Sequence, residues 1–330
     1  MLRGSEEENR EGKLKKGDGR MPITILLIKA IATLYLIMAL GLGLTKLRFF
    51  NKESTQPLSV ITVYLLTPCL ILSSFQIDFT REIRDGFLLA LAAALLAHAI
   101  MILACAAMGR VRGIYLTKLE QACITYTNAG SLIFPVVISV LGKEYLIYSS
   151  AYVLVQLILI WSHGRFLIGG SDFSARNIFM NVNMISILAG LVLLLSGFRL
   201  PDLIENAVEQ VAGMIGPMCM IITGIMLGLM NWKKIFIYRR LWLVMVLRLI
   251  IMPAIFLAVL KITGIGSLSP EGEKILLVVF LATLTSSSGG LTQMALVYGN
   301  EPEYATAINV TSTLLCAVTM PGLVWIYLDL

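Results

Sequence analysis

The sequence predicts an all-α integral membrane protein: ten transmembrane helices in two inverted five-helix repeats, with the fourth and ninth helices broken and crossing. Three observations predict it. First, the 330 residues are 58% hydrophobic and only 14% charged, against about 25% charged in a soluble domain, and mean hydropathy is +0.85. Second, ten apolar stretches each approach the roughly 20 residues needed to cross a bilayer. Third, the second five stretches repeat signals of the first five in the same order, and an odd number of spans per copy inverts one copy relative to the other.

The elements follow in chain order. Residues 1–20, MLRGSEEENREGKLKKGDGR, are polar, mixed in charge and without periodicity, which is the composition of a disordered tail. Met21 then reads as the natural start; N-terminal sequencing of the native protein that found residues 1–20 attached would refute this. The first repeat occupies residues 21–168, a short cytoplasmic linker 169–177, and the second repeat 178–330. Spans are expected at 22–45, 57–76, 86–109, 119–141, 144–168, 178–197, 203–230, 238–263, 272–299 and 303–328. The loops between them are short, so a single bundle without a soluble domain is expected.

The net charge of +6 does not point to nucleic acid, because Lys and Arg sit in short loops between apolar segments. They set topology instead. Loops 1–2, 3–4, 5–6, 7–8 and 9–10, with their flanking span ends, carry twelve Lys or Arg, and the remaining loops carry six. The first set is expected in the cytoplasm of a multi-pass cell-membrane protein with both termini outside. The tail's six basic residues oppose that bias. Cys69, Cys105, Cys123, Cys219 and Cys316 all lie in apolar segments without metal spacing, so they read as packing residues.

Five prolines, Pro68, Pro135, Pro217, Pro253 and Pro321, fall inside spans, which suggests bent helices. Span 4 is the clearest case. Its segment TYTNAGSLIFPVV places Asn128, Gly130 and Pro135 within eight positions. Gly130 frees the backbone, Asn128 can satisfy exposed backbone groups, and Pro135 lacks the N–H of a continuous helix. Span 9 has LTSSSGGLTQ at the corresponding place, with Ser286, Ser287, Ser288, Gly289, Gly290 and Gln293. Interruptions at matching positions of two halves point to a transporter's substrate site. The second half of each broken helix opens with unpaired N–H groups and a positive dipole end, a setting that favours an anion.

Other matches support the repeat. Pro68 in span 2 corresponds to Pro217 in span 7, Tyr145 to Tyr304, and Ser150 to Asn309. His98 and Arg248 lie near the middles of the corresponding spans 3 and 8. An intramembrane arginine must face a cavity, a partner or helix-end carbonyls; His98 is a ligand contact or a satisfied buried imidazole. Lys29 is near enough to a span end to snorkel. No Asp or Glu occupies the centre of any span, and Glu120 is the nearest acidic residue to Asn128 available for a proton relay. Sodium or protons are both open as coupling ion, and no other cofactor is expected. Gly224 and Gly228 form a G-x-x-x-G, either ordinary packing or a homodimer surface. There is no H-E-x-x-H, G-x-S-x-G or phosphate-binding loop, so an enzyme is not expected.

NAGSLIFPVV resembles the N-x-G-x-x-x-x-P element of the auxin efflux carrier family. LGLGLTKLRFFNKESTQPLSVITVYLLTPCLIL is similar to that family's first two spans, RLIIMP to its eighth, and LVYGNEPEYATAINVTSTLLCAVTMP to its last two. The resemblance covers the chain from about residue 30. It implies a bile acid symporter-like fold, with spans 1, 2, 6 and 7 as scaffold and spans 3–5 and 8–10 as a transport domain moving elevator-fashion. Asn128 and Pro135 then take the family's span 4 positions. Span 9 departs from the pattern, with SSSGG where many relatives have proline. The long hydrophilic loop of plant relatives is missing between spans 5 and 6.

The reading is a secondary transporter of small organic anions, mono- or dicarboxylates, in a lipid membrane. Asn128, Ser131, Ser287, Ser288 and Gln293 are expected to line the site, and Gly130, Gly289 and Gly290 to permit the breaks. Thr67 on the scaffold side and Arg248 or His98 complete it. The competing class is a membrane-embedded ligand sensor or regulatory subunit. The chain carries no fused signalling domain, which favours the carrier.

Overall fold

The computed structural model describes residues 25–51, 55–78, 80–109, 114–169, 176, 179–230 and 238–330, apart from the side chains of residues 130, 131, 293, 296 and 297. The expectations for residues 1–20, Met21 and most of the linker lie outside these residues. In chain order the helices are α1 (Ile25–Lys46), α2 (Thr55–Ser74), α3 (Arg81–Met108), α4 (Lys118–Thr125), α5 (Ala129–Val140) and α6 (Lys143–Ile168). The second half continues with α7 (Val182–Ser196), α8 (Asp202–Leu229), α9 (Arg239–Thr263), α10 (Gly272–Leu284), α11 (Gly289–Tyr298) and α12 (Pro302–Asp329). Among the described residues, seven are long and apolar enough to cross a membrane: α1, α2, α3, α6, α8, α9 and α12. Span 6 appears as the shorter apolar α7, and spans 4 and 9 as the pairs α4–α5 and α10–α11.

Local chemistry sets the helix ends. Thr80 accepts the Ile83 N–H at 3.2 Å ahead of α3. Thr117 and Glu120 form a reciprocal capping box on α4. Asn181 accepts from Asn183 and Met184 ahead of α7. Gly197 and Gly264 close α7 and α9 in left-handed conformation, at φ 68° and 60°, where a Cβ would be strained.

The interior prolines show how a membrane helix absorbs a missing N–H. Thr62–Leu66 and Leu247–Ile251 are wide π-turns just ahead of Pro68 and Pro253. Such turns shift the hydrogen-bond ladder by one residue so that the proline ring has no carbonyl to strike. Pro217 follows an interruption of α8 at Met214. Pro135 and Pro321 lie inside their helices.

Small residues set the closest approaches. A Cβ added at Gly224 would meet the Met38 carbonyl, one at Gly41 the Ile221 carbonyl, and one at Gly228 the Thr45 side chain at 2.7 Å. The G-x-x-x-G of α8 therefore packs against α1 of the same chain, the ordinary packing that is one of the two readings the sequence offers for it. Ala90, Ala93, Ala94 and Ala97 line the buried face of α3, against α6 and α10. Leu36, Leu103, Val192 and Val318 point outward, the arrangement expected where the surrounding solvent is hydrocarbon.

Candidate functional site

The site is built from two interruptions. Helix α4 ends at Thr125, and Tyr126 turns extended at φ −98°, ψ 129°. Helix α10 ends at Leu284, and Thr285 turns extended at φ −67°, ψ 165°. The two unwound segments then pair with each other. Thr127 and Ser287 form an antiparallel bridge. The Asn128 N–H donates to the Ser286 carbonyl at 2.7 Å, and the Ser288 N–H donates to the Tyr126 carbonyl at 3.0 Å. Backbone that leaves a helix inside a membrane protein must find such partners.

What the segments do not give each other, neighbouring helices supply. Gln156 of α6 brackets Thr127: its Oε1 accepts the backbone N–H at 3.0 Å and the hydroxyl at 2.7 Å, and its Nε2 donates to the carbonyl at 2.9 Å. On the other segment, Ser312 of α12 accepts the Ser287 N–H at 3.0 Å, and Asn309 donates to the Ser287 carbonyl at 2.6 Å. Each crossing peptide is thus held by an amide or hydroxyl from the long helix that follows it.

Arg248 lies on α9, 0% exposed. Its Nη1 donates to the Thr283 carbonyl at 2.9 Å and its Nη2 to the Thr285 carbonyl at 2.7 Å. These are orphan carbonyls at the C-terminal end of α10, where a cation also complements the helix dipole. Among the settings the sequence left open for Arg248, helix-end carbonyls are what its guanidinium meets. His98, also 0% exposed, places Nδ1 2.8 Å from the Ala94 carbonyl. Its ring packs 4.9 Å from Tyr152 and 6.3 Å from Tyr126. The Tyr126 hydroxyl meets the Leu159 carbonyl and His163 Nδ1.

Several polar atoms around the crossing are left over. The hydroxyls of Ser286, Ser287 and Tyr152, His98 Nε2 and Arg248 Nε are buried without a hydrogen-bond partner among the described residues. Buried polar groups are ordinarily satisfied, so each of these calls for a physical account.

The predicted site residues distribute as follows. Asn128, Ser287 and Ser288 lie in the paired segments. Asn128 is half-buried, and its side chain does not cap α5. Gly130 and Ser131 fall in the first turn of α5, Gly289 and Gly290 in the first turn of α11, and Gln293 in the turn after; the side chains of Ser131 and Gln293 lie outside the described residues. The glycines thus follow the breaks. A Cβ at Gly289 or Gly290 would meet its nearest neighbour at 3.9 or 3.5 Å, so neither is required by crowding. Pro135 sits farther along α5, against Gly216 of α8. Thr67 is buried in α2 with its hydroxyl given to the Thr62 carbonyl at 2.8 Å.

Gln156, Asn309, Ser312 and Tyr152 hold or face the crossing but were not among the predicted lining residues. The available signal was a polar residue inside an apolar span, in VLVQLIL and AINVTSTLL. Glu120 is also placed differently from a proton relay. It accepts from Arg240 Nε at 2.8 Å and Nη2 at 2.7 Å, from Tyr304 at 3.0 Å, and from its own cap at Thr117. At the start of the other broken helix, Glu271 accepts from Tyr145 at 2.6 Å and pairs with Lys274 at 2.8 Å.

A family model described as membrane transport protein matches the chain over residues 26–176 and 171–325. No curated protein matches it.

Proposed function

The chain belongs to the auxin efflux carrier family of membrane transport proteins, and from that premise we propose that it is a secondary transporter of small organic anions, mono- or dicarboxylates. It would work with ten spans in two inverted repeats. The group α3–α6 with α9–α12 would carry the substrate elevator-fashion past α1, α2, α7 and α8.

One observation carries this reading: two helices unwind at a shared, buried antiparallel pairing. From it α5 and α11 start afresh, each opening with N–H groups that no turn of its own helix satisfies. Each start favours a nearby anion by roughly 0.3–1 kcal/mol, and by up to about 2 kcal/mol when partly buried. Asn128 leaves its side chain free of capping. Arg248 adds a buried cation whose polar contacts are carbonyls. The sequence places no Asp or Glu at mid-span to offset it.

The test is a thermal-shift screen of the detergent-purified protein against small carboxylates, with and without sodium, at two pH values. A ligand that binds only the folded state raises apparent stability by RT ln(1 + [L]/Kd). A shift with a carboxylate is the expected result. Shifts with cations or neutral compounds and none with any anion would overturn the anion reading, while the family assignment would stand.

A further inference from the structure

His98 carries chemistry that the crossing itself does not use. A carbonyl oxygen can only accept, so the 2.8 Å contact with Ala94 fixes the ring proton of neutral His98 on Nδ1. Nε2 is then a bare lone pair. It is buried without a partner at full hydrogen-bonding geometry among the described residues, and the amide of Gln156 is the one side-chain donor that acts on the ring.

The groups that face the ring can be named element by element. Tyr152 and Gln156 come from α6; Gln156 gives one of its two amide N–H groups to the Thr127 carbonyl and has the second for the ring. Tyr126 comes from the unwound segment. Arg248 of α9 is near enough to act on the ring electrostatically. Along α3 itself the next titratable group is Cys105. The charged residues of α10, Glu273 and Lys274, lie in its first turn at the far end. Helix α4, also packed against α3, brings Cys123 and Glu120, the latter paired with Arg240, and Arg248 is the charged group that acts on the ring.

We propose that His98 Nε2 is the proton-binding atom of a proton-coupled carrier, taking a proton from water as an anion enters the crossing and returning it to water as the anion leaves. This rests on the anion-transporter reading above. In a low-dielectric interior, a second positive charge near Arg248 is strongly opposed. A bound anion removes that opposition. Proton and anion then assist each other's binding, and by the same factor in both directions. Nδ1 keeps its proton and its bond to Ala94 throughout, so the ring changes charge without turning.

The experiment is titration calorimetry in two buffers of unlike ionisation heat, with acetate, pyruvate and oxalate, acids already ionised at neutral pH and above. The wild type should take up close to about one proton per anion bound, and its affinity should fall by up to about tenfold per pH unit on the alkaline side. His98→Asn offers an N–H where Nδ1 stood and removes the base. It should bind the anion with neither proton uptake nor pH dependence. Anion binding by the wild type without proton uptake overturns the proposal and leaves the transporter reading intact, as does undiminished uptake in the variant. If the variant does not fold, 15N spectra of the wild type labelled at its two histidines replace it. Nε2 of His98 must then shift on anion addition, and an unchanged signal overturns the proposal. No heat with any anion overturns the anion reading and this inference with it.

Discussion

Asn128 gives its backbone N–H to Ser286 and leaves its amide side chain free of the helix it precedes. A side chain in that position is held by the pairing yet available to a ligand. Hydrogen bonds to a charged group are worth about 1.5–3 kcal/mol. Asn128→Ala should therefore lower carboxylate uptake into proteoliposomes by about tenfold or more, with the amount of folded protein in the membrane unchanged. Undiminished uptake would remove Asn128 from the site. This residue was legible in the sequence because a polar side chain beside a glycine is conspicuous in an apolar span, and the serines at 286–288 were legible for the same reason. Gln156, Asn309 and Ser312 were harder to see. Each sits in an uninterrupted helix, and only the folded chain reveals that its partner is an unwound peptide. Arg248 was recognisable as costly, but that it meets helix-end carbonyls depended on where α10 ends, a matter of a few residues.

At the scale of elements, the two broken helices are tied down by like devices. Tyr304 at the start of α12 reaches Glu120 of α4, 184 residues away. Tyr145 at the start of α6 reaches Glu271 just before α10, 126 residues away. Each tyrosine thus holds the broken helix of the opposite half. The sequence had matched Tyr145 with Tyr304, but contacts over such separations leave no local pattern to read. Span positions were legible because hydropathy is summed over twenty residues; π-turns were not, since a wide turn costs one residue and no composition. The first tie allows a sharp comparison. Glu120 has only 1% of its side chain exposed, whereas Arg240 is 46% exposed. Arg240→Ala strands a buried carboxylate, a loss of about 3 kcal/mol or more. Glu120→Gln frees a guanidinium that water can reach and keeps a carbonyl for Tyr304. The arginine variant should therefore melt well below the glutamine variant. Equal melting temperatures would mean that the pair does not hold α4.

For the whole molecule, the elevator reading divides the contacts into those that must persist and those that must break. Both tyrosine ties and the paired segments lie inside the proposed moving group. Bridging Cys variants of Tyr145 and Glu271 with a short bis-maleimide should leave uptake within about twofold of the unlinked variant, a change under 0.5 kcal/mol. Pro135 and Gly216 instead face each other across the boundary, where a Cβ on Gly216 would lie 3.1 Å from that of Pro135. A disulfide needs about 3.5–4.5 Å between its two Cβ atoms, so α5 and α8 need part by only a few tenths of an ångström to form one. The Pro135→Cys/Gly216→Cys pair should stop uptake when oxidised and restore it when reduced. Uptake that survives oxidation would sink the sliding motion.

The unequal exposure of the two ties has a further consequence. The Lys274 ammonium, and after it the Tyr145 hydroxyl, hold the Glu271 carboxyl below the usual carboxylate range. That tie is present above the ordinary carboxylate pKa and is lost as pH falls through the lowered value. It also stands in water, where dissolved salt screens charges with a Debye length of about 10 Å at 0.1 M and weakens exposed ion pairs. The Glu120 carboxylate is buried away from that water, so dissolved salt weakens its tie less. Because α4 and α10 arrive at the crossing from opposite directions, a change in salt would loosen one end of the molecule more than the other. Such a carrier would be a rectifier of ionic strength, more attentive to the salt on one face of its membrane than to that on the other.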